Sequence, residues 1–328
     1  MKADAVFEGG GVKGIGLVGA VSEIEKKGYV FENMAGTSAG AIVAALLAVN
    51  YTAAEIKNEL EKLDYNNFKD EGCLNKFGVI GKGMRIAFKY GIYNGQYFET
   101  WLENLLQAKG KTTFGQIKTN YPEEKYKYRL QVIAADITEE RLLVLPNDLK
   151  LFGYDPDLFS ISRAVRMSMS IPVFFKPVRL KDNNGKIHLI VDGGVLSNYP
   201  VWLLDDGTAN PPWPTFGFKL IEQNTRELKK GTKNKISNPV SYLSALVATM
   251  INAHDKLHIS KAKGDYDRTV GIPTVINING AEKEIKTTDF DITQEESRLL
   301  FANGERAARG FLKAWNFEEW KKKYRQQQ

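Results

Sequence analysis

The chain has little with which to cross-link itself or bind a soft metal. Cys73 is the one cysteine among 328 residues, which excludes an intrachain disulfide and leaves no cysteine-based zinc spacing. Histidine is almost as scarce: only His188, His254 and His258 could supply an imidazole base. Long apolar runs are missing too. The longest, Ala41-Ile42-Val43-Ala44-Ala45-Leu46-Leu47-Ala48-Val49, falls well short of the ~20 residues a membrane-spanning helix needs and reads as a buried helix. The first residues, MKADAVFEGGG, put an acidic residue and glycines where a signal peptide carries its apolar segment, so the chain is expected to be unexported and cytoplasmic. Internal repeats and low-complexity segments are absent. Lys and Arg total 45 against 39 Asp and Glu, a net charge of +6 that favours anionic surfaces but is spread too thinly to identify one.

What is present begins at "FEGGGVKGIG", residues 7–16. The short apolar stretch Ala5-Val6-Phe7 reads as a strand. After it, Gly9, Gly11 and Gly14 make a G-x-G-x-x-G loop, and Ile15, Leu17, Val18, Val21 and Ile24 form a helical stripe that stops at Gly28, a natural C-cap. Such a loop can cradle a phosphate, or it can aim bare backbone N–H groups at a reacting oxygen. Residues 29–34 read as a second strand that leads into an Ala-rich helix starting near Ala39. This β-α-β-α opening implies a parallel sheet with helices on its faces. Further strands are expected at 128–134, 187–191, 215–220 and 274–278. Capping boxes at Thr52-Ala53-Ala54-Glu55 and Thr293-Gln294-Glu295-Glu296 open two more helices. The polar stretch 224–238 reads as a surface connection, and one domain over 1–328 is the simpler organisation.

Between the second strand and its helix lies Gly36-Thr37-Ser38-Ala39-Gly40, the G-x-S-x-G pattern of a nucleophile elbow. The serine of such an elbow projects from a tight turn, so the positions two before and two after it must lack side chains. The same residues could instead form a plain turn whose serine caps the helix. A nucleophile needs a base. His188 lies inside a strand, where a structural role is expected, and the His254/His258 pair at i, i+4 lacks a third metal ligand. Asp192, in Ile190-Val191-Asp192-Gly193-Gly194-Val195, is placed better: a carboxylate at the C-terminal end of a buried strand lies where α/β proteins hold ligands. Taken alone it could be no more than an Asp-Gly turn.

Three blocks in order, Gly9-Gly10-Gly11-Val12-Lys13-Gly14, Gly36-Thr37-Ser38-Ala39-Gly40 and Asp192-Gly193-Gly194, resemble the signatures of patatin-like phospholipases. The run from Arg163 through Ser168-Met169-Ser170-Ile171-Pro172 to Val178 is similar to the family's segment before the aspartate. Asp192 through Asn198-Tyr199-Pro200-Val201 is similar to its D-G-G/A-x-x-x-N-x-P ending. The likeness is strong to about residue 202 and looser beyond. Lys13 stands where many members carry Arg, which keeps the charge but would weaken a bidentate contact.

The resemblance implies a three-layer α/β/α sandwich with a mostly parallel central sheet. It also implies a serine acyl hydrolase of the phospholipase A or lysophospholipase type that works without cofactor or metal. Ser38 and Asp192 would form a two-member catalytic unit, with backbone N–H groups around Gly10 and Gly11 as the oxyanion hole. A solvated aspartate is a weak base, so burial should raise its proton affinity. The implied partner is a phospholipid or other acyl-ester lipid, with no nucleic acid. Residues 75–93 interleave apolar and basic side chains, as either a cover that meets a bilayer or an ordinary packed helix would. The C-terminal Trp315, Phe317 and Trp320 beside Lys321-Lys322-Lys323 invite the same two readings. A dinucleotide-binding protein with Glu32 on the ribose and a lipid-binding scaffold without turnover are the competing hypotheses.

Overall fold

The structure is a computed structural model that describes residues 1–68, 90–205, 207–221, 236–237, 239–258 and 264–326. Cys73, most of the 75–93 segment and most of the 224–238 stretch lie outside the described residues.

Chain order explains the layering. Strand β1 (Lys2–Phe7) passes through the glycine loop into α1 (Gly14–Lys26) and returns as β2 (Val30–Thr37), followed by α2 (Ala39–Ala48) and α3 (Ala53–Lys62). β3 (Gly91–Tyr93) and α4 (Gln96–Ala108) precede the central strand β4 (Leu130–Asp136) and its hairpin partner β5 (Arg141–Leu145). Helix α5 (Ile161–Ser168) then leads to β6 (Val173–Phe175), β7 (Val178–Lys181) and β8 (Ile187–Asp192). The remainder comprises β9 (Thr215–Ile221), α6 (Pro239–His258), β10 (Thr269–Pro273), the hairpin β11 (Val275–Ile278) with β12 (Ala281–Glu284), α7 (Gln294–Ala314) and α8 (Phe317–Tyr324).

The main sheet runs β10-β9-β1-β2-β4-β8-β7, with β5 also on β4. β10, β9, β1, β2 and β4 are parallel, whereas β5 and β8 run antiparallel to β4, and β7 pairs antiparallel with β8. Helices flank this mostly parallel sheet. Every residue of β4 is buried, as expected of a strand covered on both faces. Both capping boxes form: Thr52 with Glu55 opens α3, and Thr293 with Glu296 opens α7. The strand expected at 274–278 proves to be β11, which among the described residues pairs only with β12. The sheet is instead extended by the preceding Thr269–Pro273. Its Gly271 and Pro273 read against a strand in sequence, but an edge position tolerates them.

One edge of β4 positions everything that follows. Val132 and Ile133 pair with both β2 and β5, and Ala134 to Asp136 pair with both β5 and β8. β5 therefore occupies one edge, and β2 and β8 share the other. β2 ends with Thr37 opposite Ile133, and β8, running the other way, ends with Asp192 opposite Ala134. Two strands thus terminate head to head at adjacent residues of a third, which brings residues about 150 positions apart in sequence together.

Candidate active site

At the end of β2 the chain turns through Ser38 with φ 54° and ψ −125° and enters α2. A non-glycine residue in this region is strained by roughly 1–3 kcal/mol and persists only where its surroundings hold it. The flanking glycines are required by contact. A Cβ on Gly36 would lie 2.5 Å from the Gly40 carbonyl carbon, and one on Gly40 would lie 2.6 Å from the Glu8 carbonyl oxygen. Helix, strand and turn close to this distance only without side chains, which is why both positions of the pattern are glycine.

Ser38 is buried, at 4 % exposure. Its backbone N–H donates to Ser168 Oγ at 2.8 Å, and the Ser168 hydroxyl donates to Ile133 C=O at 2.6 Å. The Ser38 hydroxyl is turned toward Met169 Sδ at 3.6 Å. Asp192, 1 % exposed, accepts from the Gly194 N–H on Oδ1 at 2.8 Å, while Oδ2 is buried without a hydrogen-bond partner. Burial pushes its carboxyl up from the usual range to about 7, and the Gly194 N–H together with the nearby Ser38 hydroxyl partly offsets that rise. An orphaned, desolvated carboxylate oxygen beside a serine hydroxyl is a proton acceptor in want of a proton.

The glycine loop lies against Ser38 and against Asn198, six residues after Asp192. A Cβ on Gly9 would come within 3.1 Å of Ser38 Cβ, and Gly11 sits at φ +57°, covered by the Thr287 carbonyl. Within the loop, Gly9 N–H donates to Asn198 C=O, Val12 N–H to Thr287 C=O, Lys13 N–H to Gly10 C=O and Gly14 N–H to Gly11 C=O. The N–H groups of Gly10 and Gly11 have no such acceptor among the described residues. Lys13 is buried. Residues after Asp192 tie the three loops together: Asn198 Nδ2 donates to Gly9 C=O at 3.2 Å, and Thr37 Oγ1 donates to Ser197 C=O at 3.0 Å. Gly193 packs on the Ile133 carbonyl, leaving no room for a Cβ.

The other sequence candidates lie elsewhere. His188 is buried with Nδ1 2.9 Å from Asp136 Oδ2, and Arg141 Nη2 lies 3.2 Å from the same oxygen, so the imidazole belongs to a structural ion cluster. His254 and His258 are on α6, and their side chains lie outside the described residues. Glu32 stands near the start of β2, paired with Lys2 at 3.2 Å and accepting from Tyr121 at 3.0 Å. β1 and β2 are parallel with Phe7 opposite Gly36, so Glu32 is at the far end of the sheet from the glycine loop and unable to hold a ribose there. This removes the dinucleotide-binding alternative. The C-terminal aromatics turn inward: Trp315 packs on Phe216 and Phe311, and buried Trp320 donates from Nε1 to Gly264 C=O at 3.0 Å. No described helix is long and apolar enough to cross a membrane. Sequence reasoning missed Ser168, Met169 and Asn198 as neighbours of the site. Their blocks stood out in sequence, but nothing local said where their side chains would reach.

A family model described as Patatin-like phospholipase matches residues 5–205. The uncharacterized protein YqhO of Bacillus subtilis (strain 168) is 38% identical over 317 residues, covering 97% of this chain and 100% of that protein. The probable lipid hydrolase 463L of Invertebrate iridescent virus 6 is 26% identical over 196 residues, 60% of this chain and 61% of the viral one. Among solved structures, VipD from Legionella pneumophila shares the fold, with a TM-score of 0.55 at 21% identity over 95% of this chain and 67% of that one.

Proposed function

The chain belongs to the patatin-like phospholipase family, and we propose that within it the protein is a serine hydrolase that cleaves fatty-acyl esters of phospholipids or lysophospholipids through Ser38 and Asp192. It is an ester-hydrolysing enzyme by family, and the likeness to a viral protein named as a probable lipid hydrolase supports a lipid acyl ester as substrate. The observation that carries the assignment of roles is the unpartnered Oδ2 of Asp192 beside the Ser38 hydroxyl at the β2/β8 junction.

In the proposed reaction the Ser38 hydroxyl rotates from Met169 Sδ toward Asp192 Oδ2, which takes its proton as Oγ bonds to the acyl carbonyl carbon. The carbonyl oxygen becomes negative and is held by the open N–H groups of Gly10 and Gly11, each such donor being worth about 10²-fold in rate. The positive end of α2 faces the same charge. As the C–O bond to the leaving alcohol breaks, Asp192 returns the proton to that alcohol. Water then attacks the acyl-Ser38 ester, gives its proton to Asp192, and collapse of the second intermediate restores the serine with that proton and frees the fatty acid. A carboxyl near 7 suits both directions of transfer at neutral pH.

We also take 1–328 as a single catalytic unit, because β9 and β10 extend the same sheet beyond the matched residues and Thr287 closes on the glycine loop. Lipid mass spectrometry after incubation with mixed phospholipids tests the function. The wild type releases fatty acid and a lysolipid, or a deacylated glycerophosphodiester from a lysolipid, and Ser38→Ala releases none. Equal release by the two would end the proposal.

A further inference from the structure

We infer that Ser168 is a positioning residue, and that the turn Ser168-Met169-Ser170 leaving α5 sets the alignment of Ser38 with Asp192. This rests on the roles proposed above. Three consecutive residues touch both groups. Ser168 Oγ accepts the Ser38 N–H at 2.8 Å, Met169 Sδ receives the Ser38 hydroxyl at 3.6 Å, and the Ser170 carbonyl accepts the Asp192 N–H at 3.0 Å.

The need for such a bracket follows from topology. β2 and β8 meet end to end on β4 and do not pair with each other there, so no ladder of backbone hydrogen bonds fixes the gap between Thr37 and Asp192. Ser168 fills that seam. Its hydroxyl proton is committed to Ile133 C=O, the residue opposite Thr37, which leaves its lone pairs for the Ser38 N–H. That N–H opens α2 and has no intrahelical acceptor; without Ser168 it would be buried and unpaired, and the left-handed Ser38 would lose a restraint. The bracket is itself anchored. Ser170 Oγ accepts from buried Arg166, which also donates to the carbonyls of Asn94, Gly95 and Lys176. Ser168 is fully buried and holds the nucleophile by its backbone, so its effect falls on alignment and not on substrate affinity.

Hydrolysis of a p-nitrophenyl acyl ester and the rate of fluorophosphonate labelling test this on full-length Ser168→Ala. Ser22→Ala serves as a control, since it removes a buried hydroxyl that donates to Gly19 C=O at 2.8 Å within α1. Ser168→Ala is expected to lower kcat and the labelling rate together by about 10- to 100-fold, the size of effect that a misplaced reacting group produces. KM should stay within about twofold and Ser22→Ala should keep wild-type kcat. A kcat within about twofold of wild type for Ser168→Ala would overturn the inference, as would an equal loss in Ser22→Ala. Should Ser168→Ala not fold, Ser168→Cys, nearly isosteric but a weak donor and acceptor, replaces it, with a roughly 3-fold or larger loss of kcat at unchanged KM expected. Ser38→Ala separates the two claims: full activity there sinks the nucleophile assignment, whereas an inert Ser38→Ala beside a fully active Ser168→Ala sinks only the bracket.

Discussion

Asp192 is the residue on which pH acts most directly. In the proposed mechanism its carboxyl, raised to about 7 by burial, must be ionised to accept the serine proton. kcat/KM is therefore expected to rise about tenfold per pH unit below that value and to level off above it; a flat profile from pH 5 to 8 would count against Asp192 as base. The same shift has a stability sign. Between about pH 4 and 7 the folded state keeps a proton that the unfolded chain, with its carboxyl near 3.8, has released, so native stability falls as pH rises through that window. Asp192→Asn removes this loss. Its Tm should gain on the wild type as pH increases from about 5 to 8, although hydrolysis is abolished. Asp4, likewise buried and raised to about 7, contributes the same trend in both proteins and cancels from the comparison. Ser38→Ala and Asp192→Ala should each lower hydrolysis by roughly 10³-fold or more, while replacing His188, His254 or His258 should leave most of it. A folded histidine variant without activity would require a different base.

The decisive element is the elbow. Its backbone conformation is held by steric contact with β1 and by the Ser168 hydrogen bond, so a single methyl group should disturb it. Gly40→Ala would press a Cβ into the carbonyl oxygens of Phe7 and Glu8, where backbone cannot yield as a flexible side chain would. We expect a cost of about 1–3 kcal/mol, read by denaturant unfolding, and a loss of activity out of proportion to it because the turn carries Ser38. Wild-type kcat in Gly40→Ala would show that the approach of α2 to β1 is not what aims the serine. How much of this was legible in sequence depends on range. The glycine pattern and the capping residues Thr52 and Thr293 act within a few positions and could be read directly. Short β3, β6 and β7 could not, because each has too few residues to establish a period. β10 was concealed by Gly271 and Pro273, which only its place at the sheet edge makes acceptable.

At the scale of the molecule, the segment after the matched residues closes the structure. β9 covers the free edge of β1, and the C-terminal helix is clasped to Asp205. Arg268 Nη1 lies 2.8 Å from Asp205 Oδ2, Arg325 bonds the same oxygen, and Arg268 Nη2 meets Asp265 at 2.5 Å. Trp320 packs against both guanidinium groups. Arg268 is only 2 % exposed, so Arg268→Met, which takes a buried guanidinium from Asp265 and leaves Asp205 with Arg325, should destabilise the protein by about 3 kcal/mol in chemical unfolding. A chain ended at residue 205 should fail to give a cooperative unfolding transition, since the β1 edge and the covering of Gly11 by Thr287 would both be lost. A truncated form that unfolds cooperatively and still hydrolyses ester would confine the catalytic unit to the matched residues.

The amino-acid sequence by itself determined the local chemistry: a bare glycine turn, a serine between two glycines, and an aspartate ending an apolar strand. Each of these is fixed by steric or hydrogen-bond demands among residues a few positions apart. Only the tertiary structure decided that β2 and β8 stop head to head on β4, that Asp192 is stripped of water, and that a hydroxyl from α5 spans the join. Those outcomes depend on strand order, on desolvation by the whole core, and on side chains reaching across more than 100 residues of chain, none of which a short-range pattern encodes.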